Sequence, residues 1–282
     1  MSAPLPFTIG HGTENDFVIL DDPDGTLDLD AATVAALADR RAGIGGDGVI
    51  RAVRTRAAGI DAPTDAPEWF MDYRNADGSI AEMCGNGVRV LAAHLRRHGH
   101  VTADEFALHT RAGTRTVQIL AVPEQVGGEW SVRVGMGTSR AAQNGRTVQI
   151  AGQRLAVTDV DMGNPHAVAF LPADVELADL DLAERPALDP DPEAGANIEL
   201  VSQRGDHHVA MRVHERGVGE TRSCGTGVAA VAVAAALRAG DTTGVPWTVD
   251  VPGGRLQVGW AEDGEVLLTG PARLVADGTL LA

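Results

Sequence analysis

The chain has 282 residues, 44% of them hydrophobic, and this length allows one large domain or two of ordinary size. Its formal net charge of −16 disfavours binding to the phosphates of nucleic acid or to an anionic membrane surface. All 23 basic residues are arginine, so the chain can form neither the lysine Schiff base that holds pyridoxal phosphate nor a P-loop.

The alternation of apolar and polar residues predicts a strand-dominated protein with few helices. Residues 7–20 are predicted to form a strand, a Gly-rich turn and a second strand, and Asp30 is predicted to cap a helix that ends near Arg41. Further strands are predicted, in chain order, over residues 48–53, 69–73, 117–121, 130–134, 155–159 and 167–170. Residues 179–195, rich in Asp, Pro and Glu, are predicted to be a solvated excursion. The Pro-Gly-Gly run at 252–254 predicts a hairpin between strands 247–251 and 255–260.

No run of 18 apolar residues occurs, and the first residues lack the basic-then-apolar order of a secretory signal. These features favour a cytoplasmic protein. In that compartment the two cysteines, Cys84 and Cys224, are expected to be thiols and not a structural disulfide. The histidines are scattered and no Cys-x-x-Cys occurs, so the sequence predicts no metal site.

One short pattern occurs twice and contains both cysteines. Cys84 and Cys224 each begin a Cys-Gly-x-Gly-Val run, and each run leads into an Ala-rich stretch that predicts a helix. The first helix carries one apolar stripe, so one side is expected to face solvent, whereas the second is apolar all round and should be buried. The repeat indicates duplicated halves, each with a cysteine at the start of its helix.

A helix N-terminus offers a cysteine a particular chemistry. Unpaired N–H groups and the helix dipole stabilise a thiolate there, so the pKa of the thiol is expected to fall toward neutrality. The same groups can bind a carboxylate. Two such sites suit the inversion of a stereocentre, which needs a base on one face of a carbon and an acid on the other. Two alternatives stay open at this point: inert buried cysteines, or a redox-responsive binding protein whose cysteines form a reversible disulfide.

Several longer runs are similar to those of one known family, the diaminopimelate epimerases. These runs are His11-Gly-Thr-Glu-Asn-Asp-Phe17, Gly43-Ile-Gly-Gly-Asp-Gly48, Asn75-Ala-Asp-Gly-Ser79, Met83-Cys-Gly-Asn-Gly-Val-Arg89, Gly163-Asn-Pro-His166, and the stretch from Glu215 to Gly227. The resemblance implies an α/β fold of mixed sheets in two pseudo-symmetric domains. Each domain would be a largely antiparallel sheet wrapped around a central helix, with the active site in the cleft between the domains. The expected limits are 1–128 plus 271–282 for one domain and 129–270 for the other.

The resemblance also implies an activity. It is a cofactor-independent isomerase reaction, the interconversion of LL-2,6-diaminopimelate and meso-diaminopimelate in the biosynthesis of lysine and peptidoglycan precursors. A homodimer is expected, with no metal and no pyridoxal phosphate. The proton-transferring pair would be Cys84 and Cys224, with His166 and Glu215 tuning them. The expected substrate contacts are Asn15, Gly48, Asn75, Gly85, Asn86, Asn164, Asn197, Glu215, Arg216, Gly225 and Thr226.

Gly48 departs from the commoner family pattern, which has glutamine at this position. A proline racemase or hydroxyproline epimerase of the same fold is the nearest rival, but its substrates lack a second amino-acid end. A phenazine-biosynthesis-type isomerase would not need paired cysteines. A further hypothesis is that oxidation joins Cys84 to Cys224 and silences the enzyme.

Overall fold

The computed structural model describes residues 5–280, and the chain divides into two compact units. The first unit combines the residues up to Val134 with those from Gly270 onward, and the second runs from Gly135 to Thr269. Cys84 therefore belongs to the first unit and Cys224 to the second.

The first unit is a mixed sheet with two helices. Its strands are β1 (Leu5–Gly12), β2 (Asn15–Asp21), β3 (Gly48–Arg54), β4 (Trp69–Asn75), β5 (Glu105–Thr110), β6 (Gly113–Ala121) and β7 (Glu129–Gly135). From β1 to β6 neighbouring strands pair in the order antiparallel, parallel, antiparallel, parallel, antiparallel. The later part of β18 (Val266–Leu280) pairs antiparallel with β1. Helix α1 (Ala31–Ala38) packs on one face of β2 and β3, and α2 (Gly85–Arg97) contacts β1, β2, β3, β4 and β6.

The second unit repeats this plan. Its strands are β8 (Arg140–Ala142), β9 (Thr147–Ile150), β10 (Gln153–Asp161), β11 (Pro165–Phe170), β12 (Ala187–Asp189), β13 (Asn197–Gly205), β14 (His208–Glu215), β15 (Gly219–Thr221), β16 (Trp247–Val251), β17 (Gly254–Trp260) and the start of β18. The pairs β10–β11, β11–β13, β13–β14, β14–β16 and β16–β17 again alternate antiparallel and parallel. Helix α3 (Gly225–Ala239) contacts β10, β11, β13, β14, β16 and β17. The predicted fold of two pseudo-symmetric, largely antiparallel halves around central helices is confirmed.

The expectation that one side of the first cysteine-bearing helix faces solvent is wrong. Every residue of α2 from Gly85 to Leu95 is buried, including Arg89 and His94. Because strands surround the helix, these polar side chains lie in the interior, where burial lowers the pKa of Arg89 to about 10 and that of His94 to about 4. Helix α3 is buried as predicted up to its last turn, where Leu237 is exposed.

Two other local predictions need correction. Asp30 caps α1 by accepting a hydrogen bond from the Thr33 N–H at 2.7 Å, but the helix ends at Ala38, before Arg41. The Asp39 carboxylate accepts from the backbone N–H groups of the next residues, Arg41 and Ala42, and this turn replaces further helix. Residues 179–195 are not simply solvated. They include strand β12, and their leucines, Leu180, Leu182 and Leu188, join the core of the second unit.

Candidate active site

Both cysteines occupy the N-cap position of a central helix, as the repeated motif predicts. Cys84 precedes α2 and Cys224 precedes α3, each with an extended backbone conformation. The first N–H groups of a helix have no partner within the helix, so each sulfur lies beside a place where an anion is stabilised. The expected carboxylate-binding residues form these first turns: Gly85 and Asn86 in α2, and Gly225 and Thr226 in α3.

The other expected residues fall at equivalent places in the two units. Asn15 begins β2 and Asn164 immediately precedes β11, while Gly48 begins β3 and Asn197 begins β13. Asn75 ends β4, and Glu215 ends β14. Within each unit, the starts of two strands and the end of a third thus bring candidate residues to the same end of the sheet as its cysteine-capped helix.

In the first unit, Asn15 connects the helix start to a charged network. Its side-chain oxygen accepts from the Cys84 thiol at 3.5 Å and from the Asn86 amide at 3.2 Å. Its amide nitrogen donates to the Asp47 carboxylate at 2.6 Å. With both ends of its side chain engaged, the Asn15 amide has one fixed orientation, and its oxygen faces the sulfur.

Sequence analysis missed the residues behind Asn15. Arg40 forms a bidentate ion pair with Asp16, with N–O distances of 2.8 and 2.6 Å, and it also donates a hydrogen bond to Asp47 at 2.9 Å. Burial alone would raise the pKa of Asp16, but the Arg40 guanidinium outweighs it and lowers that pKa. The only signal in the sequence was the inclusion of Asp16 and Asp47 in two of the family-like runs.

Gly48 has no room for a side chain. A Cβ built there would lie 2.5 Å from the Arg74 carbonyl oxygen and 2.6 Å from Cε2 of Tyr73. Tyr73, the only tyrosine in the chain, therefore occupies the space that a longer residue at position 48 would need. Asn75 pairs with Gly48 across the β3–β4 ladder and donates from its side-chain amide to Ser79 at 2.9 Å.

Arg89 places a buried positive charge one turn into α2. Its guanidinium is held by three neutral oxygens, those of Pro271, Gly85 and the Thr13 hydroxyl, at 3.1–3.4 Å. No carboxylate among residues 5–280 pairs with it. This charge and the Cys84 thiolate attract one another, so Arg89 favours the ionised form of that cysteine.

In the second unit the cysteine has an acidic environment. The Cys224 sulfur lies 3.5 Å from the Thr226 hydroxyl, and the neighbouring Glu215 accepts a short hydrogen bond from the Thr221 hydroxyl. Burial raises the pKa of Cys224 well above its usual value, and the carboxylates of Glu215 and Glu199 raise it further. The expectation that the helix start lowers this pKa is wrong, because burial and two carboxylates outweigh the helix dipole. Burial also raises the pKa of Glu215.

Glu199 is a second residue that sequence analysis missed. Its carboxylate lies 2.6 Å from Nδ1 of His166, and both side chains are fully buried. A Cβ at Gly227 would lie 2.9 Å from Glu199 Oε1 and 3.4 Å from the Cys224 sulfur, so this glycine lets the first turn of α3 approach the carboxylate. A lone glutamate in the apolar run 196–201 was the available signal, since a buried carboxylate requires a partner.

The remaining expected residues extend this network. Asn164 donates to the Thr226 hydroxyl at 3.4 Å, and its oxygen lies 3.1 Å from Nε2 of His166. Asn197 accepts from the Arg216 backbone N–H at 2.9 Å. The Arg216 side chain is exposed and donates to the Ala194 carbonyl at 2.9 Å.

None of the helices formed by residues 5–280 has both the length and the apolar character needed to span a lipid bilayer.

The chain is similar to known proteins over nearly its whole length. A model of the diaminopimelate epimerase family matches residues 7–141 and 158–275. The diaminopimelate epimerase of Streptomyces coelicolor is 51% identical over 292 aligned residues, which cover 99% of this chain and 96% of that protein.

Solved structures share the fold at low identity. A phenazine biosynthesis protein of the PhzF family from Bacillus anthracis superimposes with a TM-score of 0.72 at 14% identity, covering all of both chains. A hydroxyproline epimerase from Agrobacterium vitis gives 0.64 at 14% identity, over 98% of this chain and 92% of that one. These two likenesses concern the fold alone. The match to the family model and the 51% identity to a full-length relative show that the chain belongs to the diaminopimelate epimerase family, a family of isomerases.

Proposed function

We propose that the chain interconverts LL-2,6-diaminopimelate and meso-diaminopimelate, with Cys84 and Cys224 as the two acid/base groups and without a cofactor. The observation that carries the proposal is that the chain's only cysteines each cap a central helix in one of two equivalent units. Relatives that cover the whole chain at about half identity and bear the name diaminopimelate epimerase support the substrate.

In the proposed reaction one thiolate removes the α-proton while the other thiol delivers a proton to the opposite face. The α C–H bond breaks as one S–H bond forms, and the second S–H bond breaks as the new C–H bond forms, so the sulfurs exchange states with each turnover. Cys224 is suited to the thiol form because burial and two carboxylates oppose its ionisation. Cys84 is suited to the thiolate form because the Arg89 charge lies nearby. The N–H groups of both helix starts would hold the α-carboxylate and the charge that develops on it.

The other residues are proposed to bind or position the substrate. Neutral amides (Asn15, Asn75, Asn164, Asn197) and the helix-start residues (Gly85, Asn86, Gly225, Thr226) would hold its polar groups, while Glu215 and Arg216 would meet an ammonium and a carboxylate. His166 and Glu215 would tune the cysteines. Gly48 could contribute only backbone. We also propose that the two domains are residues 1–128 plus 271–282 and residues 129–270.

The test follows the α-proton of LL-diaminopimelate in deuterated water, with L-proline as the competing substrate. The purified chain is expected to exchange and epimerise diaminopimelate and leave proline unchanged. Cys84→Ala and Cys224→Ala should each lose about 10²–10⁴-fold in rate, because each removes one acid/base group. Val126→Ala, in an exposed loop, is the matched control. Turnover of proline alone, or full activity in either cysteine variant, would contradict the proposal.

A homodimer and a cytoplasmic location complete the proposal. A reducing compartment keeps a catalytic thiol pair reduced, and Cys84 and Cys224 are not joined in a disulfide in the structure. Light scattering on the protein as it leaves a size-exclusion column measures its molar mass, which should be that of a dimer. Fractionation of cells shows in which compartment the protein is found.

A further inference from the structure

A cluster of histidines lies at the end of α2 opposite Cys84. His94 and His100 approach Asp21, the last residue of β2, and each offers a ligand atom; the three atoms lie within 4.8 Å of one another. His100 Nε2 is 2.8 Å from Asp21 Oδ2. His94 follows Cys84 by ten residues, which places it about 15 Å along the helix.

The end of α2 builds this cluster. Gly99 adopts a left-handed conformation (φ +76°), and the His100 N–H returns to the Leu95 carbonyl at 2.9 Å. This is the Schellman arrangement, in which the residue after the left-handed glycine folds back on the last helical turn. The imidazole of His100 is thereby brought beside that of His94, with ring centroids 6.3 Å apart.

The cluster contains polar atoms that protein partners leave unsatisfied. His94 is 1% exposed, yet neither of its ring nitrogens finds a hydrogen-bond partner among residues 5–280, and the same holds for Asp21 Oδ1. A buried polar atom without a partner costs about 1–3 kcal/mol, so three of them close together point to a bound species. The bound species must interact favourably with imidazole nitrogens and a carboxylate oxygen at the same time.

We propose that Asp21, His94 and His100 bind a divalent transition-metal ion of the Zn²⁺ class. Two imidazole nitrogens and one carboxylate oxygen are a donor set that suits such ions, and three protein ligands leave a position for water. Ligands at about 2.0–2.1 Å from a tetrahedral ion lie roughly 3.3 Å apart, so small side-chain rotations bring the three atoms, which all lie within 4.8 Å of one another, to that spacing. Coordination replaces the His100–Asp21 hydrogen bond, and the remaining ring proton of His100 then resides on Nδ1.

The ion would join three segments that are separate in sequence. It would link the end of β2, the buried interior of α2 and the chain just after the helix, and so anchor the helix that Cys84 caps. The sequence predicts no metal site because its histidines read as scattered, although His94 and His100 lie six residues apart. Asp21 lies 73 residues before His94, and only the β2–α2 packing brings it to them.

The test titrates the full-length chain, first stripped with a chelator, with Co²⁺ in a thiol-free reducing buffer. Visible d–d absorption reports the ligand field, metal analysis after desalting gives the stoichiometry, and Zn²⁺ is added to displace Co²⁺. One equivalent is expected, with no thiolate-to-cobalt charge-transfer band. His94→Gln and His100→Gln should each weaken binding at least ten-fold.

His208→Gln is the matched control. His208 also pairs with an aspartate, Asp250, at 2.7 Å, but it belongs to the second unit, and its removal should leave Co²⁺ binding unchanged. Circular dichroism of the metal-free variants identifies any that fail to fold. If His94→Gln does not fold, His100→Gln carries the test, because His100 is only half-buried.

Three results would overturn the proposal. The first is absence of Co²⁺ and Zn²⁺ binding by the wild-type chain, which would mean that water satisfies the cluster. The second is unchanged binding in folded His100→Gln, and the third is a thiolate band showing that the cysteines hold the ion.

Discussion

At the scale of single residues, carboxylates govern the ionisation of Cys224. Glu215 lies near the thiol, and its negative charge opposes a second negative charge on the sulfur. Glu215→Gln removes that charge, so the pKa of Cys224 should fall and its alkylation by iodoacetamide should begin at lower pH. Peptide mass spectrometry of Cys224 across a pH series measures the shift. Glu220→Gln, which removes the exposed partner of Arg212, should not move the profile, and an equal shift in both variants would contradict the interpretation.

A second residue-scale prediction concerns the space around Gly48. Gly48→Gln should lower the free energy of unfolding by about 1–3 kcal/mol, because the new side chain meets the Tyr73 ring and a backbone carbonyl. Chemical denaturation measures the change. Gly205→Gln is the control, since a Cβ there meets nothing within 4 Å, and it should stay within about 0.5 kcal/mol. Gly48→Gln should cost less in a Tyr73→Ala background than in the wild-type chain. Equal stability of the Gly48 and Gly205 variants would show that Tyr73 does not fill this space.

At the scale of elements, the first turns of α2 and α3 are packed in different ways. Gly227→Ala places a methyl group 2.9 Å from a Glu199 oxygen, and the contact with His166 holds that oxygen in place. The start of α3 must therefore move, and Cys224 with it. Gly87→Ala instead meets the flexible ends of Met71 and Ile50.

Epimerase rates should therefore fall about ten-fold or more in Gly227→Ala, since a displacement of the sulfur is costly to proton transfer. Gly87→Ala should keep most of the activity, because terminal methyl groups can rotate away and alanine favours the helix. Steady-state kinetics with circular dichroism distinguishes the two, and equal loss in both variants would contradict the distinction.

Element identity could largely be predicted from local sequence, because it depends on short-range patterns. Local patterns located ten of the eighteen strands that residues 5–280 form, including the β16–β17 hairpin at the Pro-Gly-Gly run, and the repeated motif located both cysteine N-caps. Strands β13 and β14, which carry Glu199 and Glu215, were not predicted. Burial of α2 could not be predicted in this way. Arg89 and His94 indicate a solvent-exposed face of the helix, but strands distant in sequence cover these residues.

The candidate site divides along the same line. Residues within contiguous runs, such as Asn15 and Glu215, could be found from sequence. Arg40 gives no signal of its own, and Glu199 shows only as a glutamate among apolar residues, since each acts through a contact across separate strands or loops. The raised pKa of Cys224 was missed for the same reason, because the carboxylates responsible lie on β13 and β14.

At the scale of the whole molecule, each unit contributes one cysteine thiol. We predict that a two-electron oxidant such as hydrogen peroxide joins Cys84 to Cys224 and abolishes activity, since the proposed two-base reaction requires both sulfurs near one carbon. Peptide mapping of the oxidised chain, with activity measured before and after reduction, checks this. Cys84→Ser, which cannot form the link, is the control for other oxidative damage. Unlinked cysteines with full activity after oxidation would contradict the prediction.

The passage of β18 through both units has a consequence for synthesis on the ribosome. The second unit is continuous in sequence, whereas the first is completed only when residues beyond Gly270 pair with β1. Domains fold as units while the chain emerges. The sheet of the first unit therefore keeps one edge of β1 unpaired until the residues beyond Gly270 have been made, although β1 is synthesised first, whereas the second unit needs no residue after Thr269.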